Sequence, residues 1–304
     1  MIELIKKSNY DFMGKRHIAF AVSGILSLLG ILAIVAIGRG TANLGIDFAG
    51  GTAVQLKFEK PVNLHQVREA VGASGIKDAE LQDMPTERKV LIIIKKQDEQ
   101  AVGLSDKVIA AVEKGVAANK ITVDSVSEIG PKVGKKLRVD AMWAIIASIV
   151  GILIYVGWRF QFSFSVGATA ATFHDVLAVL GVFYVFGLEI NLILLTALLT
   201  IAGYSLTDTV VVFDRIRENL RVMFKDPVER TINKSINEVL SRTIVTSITV
   251  LLASISLYLF GGEVIHEFAL AMILGVVVGT YSSVFVASPV VLVWSGNKPL
   301  VKKS

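Results

Sequence analysis

Six apolar runs interrupt a polar chain, at residues 18–37, 141–157, 165–186, 191–213, 244–260 and 268–294. Each is long enough to cross the hydrocarbon core of a bilayer as a helix, which takes about 17–25 residues. The last has length to spare for tilt or a kink, with Pro289 near its end. Residues 1–16 are polar and basic. The first run is longer than a signal-peptide core and no small-residue cleavage site follows it, so it reads as an uncleaved first span.

Residues 38–138 differ in kind. They have the composition and length of one soluble domain. Residues 53–58 alternate like a strand. Residues 63–73 read as a helix with Asn63 as N-cap and Leu64, Val67 and Val71 on its apolar face. Residues 79–84 and 89–95 read as two strands joined by a turn at 85–88. Residues 98–118 read as a second helix through Val102, Val108, Ile109 and Val112, and residues 121–129 as a last strand. The order β-α-β-β-α-β is that of a ferredoxin-like fold. The expected fold class is therefore a polytopic α-helical membrane protein with six transmembrane helices and a ferredoxin-like α+β domain between the first and second. The expected divisions are 1–37, 38–138, 139–296 and a tail at 297–304. Gly45, Asp47, Phe48, Gly50 and Gly51 precede the first strand. These glycines do not follow a strand and open a helix, so the segment is a poor phosphate loop. It reads as a domain-entry turn, and residues 129–138 as a basic exit linker.

Composition agrees with a membrane protein. Of 304 residues, 53% are hydrophobic and 19% charged, against about 25% charged in soluble domains. The net charge of +5 sits largely in loops beside the spans, which argues against nucleic acid. There are no cysteines, so disulfides and thiolate chemistry are excluded. His17, His65, His174 and His266 lack metal-ligand spacing, and no metal or cofactor is expected. Basic residues number four before the first span, seven in 214–243 and three after Trp294, while the loops 187–189 and 261–267 have none. That alternation puts both termini in the cytoplasm and 38–138 outside.

Asp208 lies six residues inside its span from Asp214, roughly 9 Å deep at 1.5 Å per residue. A carboxylate there costs about 2.5–3.5 kcal/mol or more, so the default reading is a proton or ion site. Two plainer readings stand beside it: a permanently protonated Asp208 bonded to a neighbouring hydroxyl, or a short aqueous dip. Asp175 lies about 15 Å deep, either as a second proton-relay group or as a structural pin. His174 beside it points about 100° away around a helix. Arg242 opens the fifth span. It can approach the intramembrane carboxyl, pair with Glu238, or anchor at headgroups, and the residues alone favour the plainer roles. Thr196, Thr200, Gly203 and Thr207 on the fourth span, and Thr243, Thr246, Ser247, Thr249, Ser254 and Ser256 on the fifth, read as packing faces that look inward.

Four stretches carry a family resemblance: Gly45-Ile-Asp-Phe-Ala-Gly-Gly51, Phe173-His-Asp-Val176, the run from Gly203 to Asn219 and Asn237-Glu-Val-Leu-Ser-Arg-Thr243. They resemble the SecF family of the SecD–SecF protein-export complex, within the resistance–nodulation–division superfamily. Nearly the whole chain takes part, and the third stretch, with Gly203, Tyr204, Asp208, Thr209, Asp214 and Arg215, is the most specific. The resemblance implies an auxiliary Sec translocase subunit in the cytoplasmic (inner) membrane that uses the proton-motive force. It places the family's intramembrane Asp at Asp208 and its functional Arg at Arg242, which reverses the plainer reading of Arg242. It implies a SecD partner, contact with the SecYEG channel, protons, membrane lipid and a translocating unfolded polypeptide, and no enzymatic activity.

Other functions remain open on the residues. A small-molecule exporter of this superfamily carries two large outer domains and about twelve spans, more than this chain has. An intramembrane aspartyl protease needs a glycine-x-glycine-Asp signature, where this chain has Ser205-Leu-Thr-Asp208. A passive scaffold would leave the buried charges dispensable.

Overall fold

The computed structural model describes residues 9–76, 79–85, 87–95, 103–223 and 225–296. Of the expected elements, the polar N-terminus at residues 1–8, residues 98–102 at the start of the second domain helix, Thr86 in the strand turn and the tail at 297–304 lie outside the described residues. The chain forms two compact units, one of Met1–Ala42, Trp143–Leu188 and Ile193–Ser304, the other of Asn43–Met142 and Glu189–Leu192.

In the second unit a short helix α2 (Ile46–Ala49) leads into β1 (Gly51–Phe58). There follow α3 (Leu64–Ala73), β2 (Ala79–Met84), β3 (Lys89–Lys95), α4 (Leu104–Gly115) and β4 (Ile121–Ile129). The sheet order is β2-β3-β1-β4, all antiparallel, which is the ferredoxin-like arrangement. Asn63 caps α3, its side chain accepting from His65 N at 2.9 Å. Alternate strand residues Val54, Leu56, Phe58, Val90 and Ile92 are buried with Val67, Val71, Val108 and Val112 of the two helices. Period-2 strands thus supply one wall of the core and period-3.6 helices the other.

The glycine motif is a close-packed knuckle. Gly50 ends α2 at φ 80°, a conformation glycine adopts without steric cost. A Cβ on Gly51 would meet Ile94 O at 2.5 Å. Asp47 Oδ2 accepts from the backbone N–H of Leu192 at 3.1 Å. The expected exit linker is helical instead. Helix α5 (Pro131–Arg159) starts at Pro131, where a missing N–H costs nothing.

The first unit holds α1 (Arg16–Arg39), most of α5, α6 (Phe162–Val185), most of α7 (Leu192–Val222), α8 (Val228–Phe260), and a last helix made of α9 (Glu263–Ser282), a π-helical turn (Ser283–Ala287) and α10 (Ser288–Ser295). Among the described residues, six helices are long and apolar enough to cross a membrane. Helix α6 is the most enclosed, while α1, α5 and α8 leave wide apolar faces exposed. Close approach of α1 to α6 rests on Gly30 and Gly181: a Cβ on Gly181 would meet Gly30 N at 2.7 Å. Small residues at such crossings let membrane helices pack.

Helices α7 and α8 run well beyond their apolar runs, because helical backbone hydrogen bonding continues through the charged residues 214–222 and 228–243. There Arg215 Nε donates to Glu238 at 2.7 Å, and Asn219 Nδ2 donates to Glu238 at 2.7 Å and Ser235 at 3.0 Å. Residues 10–16 are strapped to α8. Asn233 Oδ1 accepts from Phe12 N and Met13 N, and Arg16 pairs with Glu229 at 2.8 Å.

Pro289 has no N–H for the carbonyl of Phe285, four residues back. The wide turn forms over that position, and Ser288 Oγ donates to Ser283 O at 3.1 Å, five residues back. The last span is therefore continuous but locally unwound.

Candidate proton site

Among the described residues, two carboxyls are buried between the membrane helices. Asp175 of α6 is 0% exposed and Asp208 of α7 is 7% exposed. Asp175 Oδ2 accepts from Ser205 Oγ at 2.5 Å and Ser282 Oγ at 2.8 Å. Its Oδ1 lies 3.0 Å from His174 Nδ1. Asp208 Oδ2 accepts from Ser283 Oγ at 2.9 Å. Ser205 and Asp208 are three residues apart on one face of α7, so α7 serves both carboxyls.

His174 and Asp175 meet despite their 100° separation, because their side chains turn toward each other beyond the Cβ atoms. His174 Nε2 is buried without a hydrogen-bond partner among the described residues. Arg242 lies exposed on α8. Its charge reaches Asp208 through space without an ion pair. Glu238 is bound by Arg215 and Asn219 rather than by Arg242. Thr243 Oγ1 lies near Asp208 but makes no hydrogen bond of normal geometry.

The other sequence-selected residues make no hydrogen bond to either carboxyl among the described residues. Tyr204 OH donates to Ser247 Oγ at 3.1 Å. Gly203 O accepts from Thr207 Oγ1 at 3.1 Å. Thr209 is buried, Asp214 lies 3.6 Å from Arg159, and Arg215 belongs to the charged hairpin. Gly45, Asp47, Phe48, Gly50 and Gly51 belong to the second unit.

Of the ten residues expected to look inward, three do so. Thr243, Ser247 and Ser254 are buried. Thr196, Thr200, Gly203 and Thr207 of α7, and Thr246, Thr249 and Ser256 of α8, are exposed. Several bond carbonyls of their own helix instead, as Thr200 does with Thr196 O.

Similarity to known proteins follows the same residues. The family model "Protein export membrane protein SecD/SecF, C-terminal" matches residues 108–297, and the "SecD/SecF GG Motif" matches 41–62. A protein translocase subunit SecF from Thermodesulfovibrio yellowstonii is 57% identical over the full length of both chains. The chain belongs to the SecF family. A SecF from Pseudomonas aeruginosa is 39% identical over 95% of this chain and 92% of its own. The crystal structure of SecDF, a translocon-associated membrane protein from Thermus thermophilus, matches at 36% identity and TM-score 0.79 over 95% of this chain. This SecF-family chain spans 39% of that SecDF chain. SecDF in a super-membrane-facing form matches at TM-score 0.69.

Reading the sequence of this SecF-family member singled out both carboxyls but missed Ser205, Ser282 and Ser283. The available signal was Thr280-Tyr-Ser-Ser283, a polar run inside an apolar span.

Proposed function

We propose that the chain is an auxiliary subunit of the Sec translocase that uses the proton-motive force to assist late steps of protein translocation. Protons bind and leave at Asp208, with Asp175 as a second acid and Arg242 as the mobile counter-charge. Proton uptake changes the packing of α7 and α8, and the outer ferredoxin-like domain moves in response. The observation that carries this reading is the placement of two carboxyls inside the membrane-spanning helices, each held by hydroxyls and neither in an ion pair with Lys or Arg among the described residues. Such groups are costly unless they serve a path or an exchangeable proton.

Exposed Arg242 favours a second membrane subunit that covers it, since lipid does not satisfy a charged side chain, and the small and hydroxyl residues exposed on α7 and α8 give that subunit a packing face. SecD, as the other half of a pseudo-symmetric pair, fits that face. SecYEG is the channel served, and an unfolded polypeptide the cargo. The cytoplasmic membrane is the membrane that a Sec subunit occupies in this reading, and the distribution of basic residues supports both termini inside and residues 38–138 outside.

The test is gradient-dependent export in vesicles, with wild type and Asp208→Asn at matched levels. Loss of the gradient-dependent component alone is the expected result. Unchanged export assigns the chain a passive bracing role.

A further inference from the structure

Four consecutive residues of the last membrane helix bind four different helices. Thr280 Oγ1 lies 2.7 Å from Ser247 Oγ of α8. Tyr281 OH donates to Ala19 O of α1 at 2.9 Å and lies 3.1 Å from Ser23 Oγ. Ser282 donates to Asp175 of α6, and Ser283 to Asp208 of α7. The π-turn starts at the last of the four. Turns of this kind occur often at functional sites.

Both serines have a second acceptor. Ser282 Oγ lies 3.1 Å from Gly279 O, and Ser283 Oγ lies 3.0 Å from Thr280 O. A serine has one O–H to donate, so each hydroxyl points either at its carboxyl or at the carbonyl three residues back. An ionised carboxylate only accepts, and it holds the hydroxyl toward itself. A protonated carboxyl has its own O–H to donate, which turns the serine hydroxyl toward the carbonyl and makes the serine oxygen the acceptor. The added proton stays on the carboxyl throughout and the serine keeps its own. Asp175 also accepts from Ser205 of α7, so Ser205 and Ser282 compete for the single O–H that its protonation adds.

We propose that Ser282 and Ser283 are positioning residues that sense the protonation of Asp175 and Asp208 and make the two acids respond to one another through the start of the π-turn. This rests on the proton-coupled reading above and names the residues that transmit it. Among the described residues, four other titratable groups surround the pair. His174 touches Asp175, Tyr281 has its ring 6.2 Å from the His174 ring, Tyr204 lies one turn before Asp208, and Arg242 acts on Asp208 through space.

The test is infrared difference spectroscopy of the full chain across a pH series. The protonated-carboxyl bands are assigned by their loss in Asp175→Asn and in Asp208→Asn. Asp208→Asn is expected to shift the midpoint of the Asp175 band. Combining it with Ser282→Ala and Ser283→Ala is expected to abolish that shift, and Ser283→Thr, which keeps the hydroxyl, to retain it. A shift of unchanged size without the two hydroxyls overturns the proposal, as does the absence of any shift in the wild-type background. Vesicle export separates the two levels. Loss of gradient-driven export in Asp208→Asn with undiminished export in the Ser282→Ala, Ser283→Ala double variant sinks the serine link alone. Undiminished export in Asp208→Asn sinks the proton-coupled reading itself.

Discussion

The carboxamide of Asn237 binds both backbone groups of Tyr10, accepting from its N–H at 2.9 Å and donating to its carbonyl at 2.9 Å. A side chain here stands in for a neighbouring strand. Asn237→Asp keeps the acceptor and removes the donor. One hydrogen bond contributes about 1 kcal/mol, so amide exchange at Tyr10 is expected to speed up by roughly fivefold, read by hydrogen–deuterium exchange.

The same strap predicts a pH response. The Asp11 carboxylate accepts from Gly14 N at 2.9 Å and Asn233 Nδ2 at 2.6 Å. The Gly14 bond first, then Asn233, hold its pKa below the usual aspartate value. A lowered folded pKa means the contribution is fully present above the unfolded value, near about 4, and is lost as pH falls through the folded value. Exchange protection at Gly14 N is expected to persist at pH 5 and to fade below about pH 4. Asp11→Asn is expected to show no such step.

Gly181 and Gly24 make a matched pair of substitutions. A Cβ on Gly181 meets the backbone of α1, whereas one on Gly24 meets nothing within 4 Å. Gly181→Ala is expected to destabilise by about 1–3 kcal/mol through overpacking. Gly24→Ala is expected to be neutral or to stabilise by up to about 1 kcal/mol through helix propensity. Thermal unfolding in detergent measures both.

Asp47 tests the glycine motif apart from its glycines. Asp47→Ala removes the acceptor for Leu192 N at the start of α7, a loss of about 0.5–2 kcal/mol for a capping group. Faster exchange at the Leu192 amide is the expected readout, with Asp47→Asn close to wild type.

Arg242 is exposed and free of ion pairs among the described residues. Arg242→Ala is therefore expected to leave the unfolding temperature within the range of ordinary surface changes, about ±0.5 kcal/mol. In vesicles it is expected to remove the gradient-driven part of export.

The ferredoxin-like order was legible because its strands alternate with period two and its helices carry apolar faces, as at Val54, Leu56 and Phe58 against Val67 and Val71. Asp208 was legible because a carboxylate inside an apolar run is costly. Ser282 and Ser283 were not, because hydroxyls in membrane helices commonly bond their own backbone, as Thr200 and Thr249 do here. Only the packing of α9 against α6 and α7 separates the two kinds. Hydropathy also marks the part of a helix that meets lipid rather than the whole helix. The lengths of α5, α7 and α8 therefore exceeded their apolar runs, and the hairpin between Arg215 and Glu238 lay outside what hydropathy marks.

The π-turn at Ser283–Ala287 carries one residue more than the α-helical turn it replaces. A helix with one surplus residue has a discrete neighbour state. Winding the turn back into α-helix displaces α10 by about 1.5 Å along its axis and rotates it by about 100°. Rewinding this span would thus be a single click of a screw rather than a graded bend, and it would have to break the bond from the Ser288 hydroxyl to Ser283 O.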